Sequence, residues 1–122
     1  MTVKKRQKIT VKGIKIITFK KNESDYISLT DIAKYKDQER TNYVIQNWMR
    51  NRSTIEFLGL WEKINNPEFK GIEFDAFRSE AGSNSFSLTP QRWVNSTNAK
   101  GIIAKAGRYG GTYAHKVAVL KN

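Results

Sequence analysis

Residues 106–115, AGRYGGTYAH, gather three of the chain's eight glycines, two of its five tyrosines and its one histidine. Three kinds of chemistry use such residues: a loop that cradles phosphates, a catalytic loop built on His115, and the glycine tip of a basic hairpin that touches nucleic acid. Spacing argues against the first. A Walker loop needs two glycines five apart followed by Lys and Ser/Thr, and the dinucleotide fingerprint needs GxGxxG at the opening of a helix. Gly107-Arg-Tyr-Gly110-Gly111 supplies neither, and the Thr112-Tyr113 that follows is β-prone. The second is weakly supported. A two-histidine metal site is impossible, and no acid follows Glu80 to orient the ring from nearby in sequence. A distant acid could still reach His115 in the fold, and a surface or half-buried packing role needs no acid at all.

The hairpin explains each residue type. Glycines at 107, 110 and 111 permit positive φ and close approach of the backbone to a partner. Arg108 can enter a groove or meet a phosphate, while Lys105 and Lys116 can contact the nucleic-acid backbone on either side. Tyr109 and Tyr113 can stack or donate to phosphate; packing against a sheet explains Tyr113 equally well. Thr112 and His115 complete the same candidate surface. Elsewhere, Glu73, Asp75 and Glu80 could in principle hold Mg²⁺ for a nuclease, but such spacings arise by chance and also describe solvated loop acids. The absence of cysteine removes disulfide scaffolds and thiolate metal sites. No metal and no cofactor is expected.

Charge narrows the partner. The 122 residues carry 22 Lys plus Arg against 11 Asp plus Glu, a net +11. Both ends are acid-free: Lys4, Lys5, Arg6, Lys8, Lys12, Lys15, Lys20 and Lys21 precede Glu23, and Arg92, Lys100, Lys105, Arg108, Lys116 and Lys121 follow Glu80. Even positive charge could serve solubility alone, or draw the chain to an anionic membrane surface. Acid-free segments point more strongly to a polyanion such as nucleic acid. No apolar run reaches membrane-span length and no signal-peptide core follows the basic start, so a cytoplasmic, nucleoid-associated protein of one domain over residues 1–122 is expected.

The elements that must position these residues are legible in outline. QKITVKG and IKIITF alternate as strands on either side of Gly13 and run to a turn at Asn22–Asp25; Tyr26 and Ile27 suggest a short third strand. Residues 1–7 read as a flexible basic arm. Ser28-Leu-Thr-Asp31 has the capping-box form and predicts a helix over about 29–36. Thr41 is a plausible cap for a helix that places Val44, Ile45, Trp48 and Met49 on one face and ends near Arg50–Arg52. Ser53-Thr-Ile-Glu56 is a second box, with Ile55, Leu58, Trp61 and Ile64 as the apolar stripe of a helix that stops before Pro67. Trp48, Trp61 and Trp93 each fall on such a face and read as core. Phe69 to Phe86 lacks clean periodicity and reads as loops with one short element. Thr89-Pro90 looks like a cap with Pro at the first helical position. GIIAKAG and TYAHKVAVL read as two strands around the glycine-rich turn. The expected class is α+β: an N-terminal β-hairpin, a helix-turn-helix-like cluster within 28–65, and a C-terminal hairpin wing.

Four segments, WMRNRSTIEFLGLWE, FKGIEFDAFRSEAGSNSF, SLTPQRWV and KAGRYGGTYAHK, resemble in order the KilA-N domain of bacteria, phages and large DNA viruses. The resemblance runs from about Ile27 to Lys116 and is most specific at GRYGGTYAHK. The family is similar to the DNA-binding domain of fungal APSES transcription factors, which places a helix pair and a glycine-rich wing on DNA. The resemblance implies double-stranded DNA as partner, no catalysis, Gly107 to Thr112 as the wing tip and residues 28–52 as the reading head. Arg40, Asn42, Arg50, Asn51 and Arg52 then join Lys105, Arg108, Tyr109, Thr112, Tyr113, His115 and Lys116 as candidate contacts. It further implies a phage- or mobile-element-associated regulator. Composition alone does not separate DNA from RNA, and a single-strand or RNA module that stacks bases on tyrosine stays open. The chain departs from the family after AHK, where an acidic residue and a packed helix are usual and Val117-Ala-Val-Leu-Lys-Asn122 stands instead.

Overall fold

The computed structural model describes residues 6–11, 13–107 and 110–121. Five strands form one antiparallel sheet in the order β1-β2-β3-β5-β4: β1 is Arg6–Val11, β2 Ile14–Lys21, β3 Ser24–Ser28, β4 Ile102–Lys105 and β5 Gly111–His115. Six helices accompany it among the described residues: α1 Leu29–Lys36, α2 Thr41–Met49, α3 Arg52–Asn65, α4 Gly71–Glu80, α5 Pro90–Thr97 and α6 Lys116–Lys121. A single 3-10 turn, Gln38–Arg40, leads into α2. The expected α+β class is therefore what the chain adopts.

The N-terminal hairpin turns at Gly13, whose φ of +83° suits glycine. Asn22 and Glu23 both have positive φ, 52° and 64°, forming the two-residue primed turn whose twist matches its strands. That turn is tighter than the Asn22–Asp25 span, since Ser24 and Asp25 already pair with Lys21 and Lys20. Arg6 and Gln7 likewise pair with Phe19 and Thr18 rather than extending an arm; residues 1–5 lie outside the described residues.

β3 stops early because Ser28 caps α1, its hydroxyl accepting from Asp31 N at 3.0 Å. The first turn of α1 then fills the place that a longer β3 would take. Asp31 Oδ2 accepts from the Ile17 backbone N–H of β2 at 2.9 Å, and Thr30 Oγ1 accepts from the Thr112 N–H of β5, also at 2.9 Å. Two strand donors that would otherwise face each other across a gap are thereby satisfied.

The main core lies between the helices and the sheet, centred on the fully buried Trp93. The aromatics of 69–86, aperiodic as sequence, converge there: the rings of Phe69, Phe74 and Phe77 lie 5.9, 6.1 and 6.0 Å from that of Trp93. Phe74 reaches it across Gly59, where any Cβ would fall within the Phe74 ring. Phe19, Tyr26 and Tyr113 make a smaller cluster on the sheet.

Four expectations are corrected. Thr41 is the first residue of α2 and not its cap, because Asp37 caps the preceding 3-10 turn and that turn runs straight into the helix. Asn51 rather than Ser53 caps α3, its side-chain oxygen accepting from Ser53 N at 3.0 Å. The buried stripe of α3 is Thr54, Ile55, Leu58, Gly59 and Glu62, leaving Trp61 half-buried and Ile64 71% exposed, since α4 and the start of β4 set which face is covered. TYAHKVAVL is not one strand: β5 ends at His115 and residues 116–121 form α6. His115 Nδ1 accepts from Val117 N at 3.1 Å and so holds the first turn of that helix.

Candidate nucleic-acid interface

Asn42 and Gln46 stand one turn apart on α2, with Ile45 beside them. Thr89, Pro90 and Gln91 open α5, where Thr89 Oγ1 accepts from Arg92 N at 3.1 Å and Pro90 supplies a first residue without a donor. Ala104, Lys105, Ala106 and Thr112 belong to the β4–β5 hairpin. These ten residues line one groove of about 240 Å³. Its walls hold three amide side chains, two threonines and one lysine, and no carboxylate. The volume falls below the roughly 300–1,000 Å³ of small-molecule sites, which suits a groove that receives an edge or a backbone rather than a whole ligand.

The hairpin is held over the groove from two sides. Thr30 fixes the Thr112 N–H, and a Cβ on Gly111 would come within 3.3 Å of the Thr30 hydroxyl. At the tip, Gly107 has φ +100° and its carbonyl accepts from Gly110 N at 3.0 Å. At Gly110 the visible constraint is space, because a Cβ there would collide with the Lys105 and Ala106 carbonyl oxygens. Arg108 and Tyr109 lie outside the described residues.

Of the residues singled out in the sequence, Asn42, Lys105 and Thr112 are thus brought together, with Gly107, Gly110 and Gly111 at the adjoining tip. Arg40 sits at the entrance of α2 with its guanidinium over the exposed Tyr43 ring, 4.2 Å from the centroid. Arg50, Asn51 and Arg52 lie at the far end of α2 and have structural partners. Arg50 Nη2 donates to the Ser83 and Asn84 carbonyls at 3.0 and 3.1 Å, Asn51 caps α3, and Arg52 pairs with Glu56 at 3.3 Å.

Tyr113, His115 and Lys116 are set apart from the groove. The Tyr113 ring is buried edge-on against Phe19, 5.0 Å between centroids, so it packs rather than stacks on a base. His115 ends β5 at the side of the sheet away from the tip. Its ring lies 4.7 Å from that of Trp61 and 5.7 Å from that of Tyr26. Burial pushes its pKa down, opposed by Asp25 and Glu62, so the neutral ring persists and keeps Nδ1 an acceptor. Lys116 Nζ meets Asp25 at 3.8 Å. Glu73, Asp75 and Glu80 are spread along α4, with Asp75 paired to Arg78 at 3.5 Å. Among the described residues no three His, Asp or Glu side chains converge as metal ligands.

Sequence reasoning missed Gln46, Gln91 and the buried Glu62. Gln46 carried a signal, standing four residues after Asn42 on a recognised helix, and Gln91 follows directly on the Thr89-Pro90 cap. Glu62 accepts from Lys100 N, Gly101 N and Asn66 Nδ2 and so anchors the chain where it enters β4.

No helix among the described residues is long and apolar enough to cross a membrane. No curated protein and no solved structure shows significant similarity to the chain. The KilA-N domain description matches residues 9–121, nearly the whole sequence, and domains of that kind generally bind DNA and are not typically enzymatic. The chain belongs to the KilA-N domain family.

Proposed function

We propose that the chain is a non-enzymatic, sequence-specific or semi-specific binder of double-stranded DNA, with α2 as the reading helix and the β4–β5 hairpin as a wing. The observation that carries this reading is the carboxylate-free groove of Asn42, Gln46, Gln91, Lys105 and Thr112 between α2, the start of α5 and the hairpin. Asn and Gln side chains can bond an adenine edge bidentately in the major groove, and Lys105 adds the charge that favours a phosphate. Arg108, which follows Gly107 in sequence, adds a further cation, and Arg40 joins from the start of α2. A DNA-binding domain of one chain, basic at both ends, fits a regulator of the kind that phages and mobile elements carry, acting at the nucleoid.

A duplex is favoured over a single strand because, among the described residues, the groove is built from amides and a lysine, not from aromatic platforms, and Tyr113 is buried. The test is a fluorescence competition among duplex DNA, single-stranded DNA and duplex RNA, with selection of sites from a random duplex library. Duplex DNA should compete best and a preferred sequence should enrich. Asn42→Ala and Gln46→Ala should each lose about 1–3 kcal/mol on that sequence and relax its preference. Equal competition by single strands, or Ala variants that bind like the parent, would sink the reading.

A further inference from the structure

We infer that the chain associates with a second copy of itself through the outer face of α3, in an antiparallel helix pair centred on Leu60. The inference goes beyond DNA binding, because the groove takes its walls from α2, α5 and the β4–β5 hairpin and none from α3.

The sequence of α3, RSTIEFLGLWEKIN, divides into two faces. Thr54, Ile55, Leu58, Gly59 and Glu62 are buried against the rest of the domain. On the opposite side Ser53, Glu56, Leu60, Lys63 and Ile64 are exposed and Phe57 is half-buried. Phe57, Leu60 and Ile64 recur at steps of three and four residues, the spacing of a seam between two packed helices. The solvent face of a surface helix ordinarily carries polar residues at such positions. Here Leu60 is 55% and Ile64 71% exposed, one turn apart, and no described segment covers them. Apolar surface grouped in this way marks a site of association.

The charges beside the seam identify the partner. Glu56 and Lys63 are two turns apart and stand on the same flank of α3, the side on which Lys63 reaches over the Phe74 ring of α4. Glu56 comes before Leu60 and Lys63 after it, about 6 and 4.5 Å away along the axis. A two-fold axis beside Leu60 sets two such helices antiparallel and keeps that flank against itself. Glu56 of each chain then meets Lys63 of the partner subunit, twice over, with Leu60 and Ile64 closed between the helices. A partner of one sign of charge would instead meet a like charge on the same flank. The chain is strongly basic, at net +11, so two copies repel unless the shared face offers an acid. Glu56 supplies it. Its carboxylate pairs with Arg52 at 3.3 Å through Oε2, which leaves Oε1 for a second cation.

The experiment is sedimentation equilibrium of the full chain at about 0.15 M salt. Two short helices make a small interface of the transient kind, so the dimer should appear with rising protein concentration below about 1 mM. Leu60→Glu/Ile64→Glu should stay monomeric, and because both sites are exposed it should melt like the dilute parent. Glu56→Lys and Lys63→Glu should each weaken the dimer by about three- to thirtyfold, since each spoils two ion pairs. Glu56→Lys/Lys63→Glu should restore the parent association, with the pairs reversed and the net charge unchanged. Lys63→Glu separates pairing from bulk repulsion, because it lowers the net charge of every chain and should still weaken the dimer. A parent that stays monomeric to about 1 mM would overturn the inference, as would a dimer that survives Leu60→Glu/Ile64→Glu. A charge-swapped double variant that associates no better than the singles would overturn it as well. None of these outcomes bears on duplex binding, which the competition assay tests separately.

Discussion

Glu62 Oε2 accepts the Gly101 backbone N–H at 2.6 Å, tying the last turn of α3 to the residue that leads into β4. The same carboxyl group takes the Lys100 N–H at 2.9 Å and the Asn66 amide at 2.9 Å, so this buried side chain accepts from three donors. Gly101 must be small there, since a Cβ would come within 3.0 Å of Glu62 Oε2 and 3.1 Å of the Trp61 ring. One side of the β4–β5 hairpin is thereby hung from α3.

Glu62→Ala should therefore destabilise the fold by about 2–4 kcal/mol, because buried donors left without acceptors cost about 1–3 kcal/mol each. Urea denaturation at neutral pH measures this directly. A loss under about 0.5 kcal/mol, the level of ordinary surface changes, would show that water replaces the carboxylate and that the hairpin does not depend on it.

His115 makes stability depend on pH. Its pKa is held below the ordinary histidine value chiefly by burial, so the unfolded chain binds more protons than the folded one as pH falls below about 6.5. The contribution is complete above that value and is lost as pH falls through the lowered pKa. Protonation would also turn Nδ1 into a donor facing the Val117 N–H, removing the acceptor for the first turn of α6. His115→Asn keeps a short acceptor without titrating. Melting curves from pH 7.5 to 5 should show the parent losing stability relative to that variant. Parallel curves would mean that the ring is solvated in both protonation states.

What the sequence made legible was whatever a few neighbouring residues decide. Ser28 and Thr89-Pro90 announce α1 and α5 because a cap and its donor lie three residues apart. The β4–β5 hairpin is legible from glycines between two β-prone runs. Glu62 and Gly59 were silent because their meaning lies with Gly101 and Phe74, distant in the chain. The valines of α6 read as strand because the histidine that caps it looked like part of the hairpin. The same limit applies to the groove. Asn42 and Lys105 could be named from the resemblance, but only the fold sets Gln91 beside them, and only the fold turns Tyr113 inward and gives Arg50 to the Ser83 and Asn84 carbonyls.

The glycine-rich tip separates two roles that a single binding assay would merge. At Gly110 a Cβ has no room beside the Lys105 and Ala106 carbonyls, so the turn must open to accept one. Gly110→Ala should cost about 1–3 kcal/mol of local strain and should weaken duplex binding, because the tip moves relative to Thr112 and the groove. Arg108 already carries a Cβ, so Arg108→Ala adds no atom to the turn, and its stability should stay within about 0.5 kcal/mol of the parent. Its affinity should still fall, by about 1–3 kcal/mol if the guanidinium meets a base edge and by less if it meets phosphate alone. Melting temperature and duplex affinity, measured on both variants, distinguish a wing from a turn that merely joins two strands. An Arg108→Ala protein that binds as well as the parent, beside a Gly110→Ala protein that loses stability but keeps its affinity, would leave the hairpin a structural element and remove it from the interface.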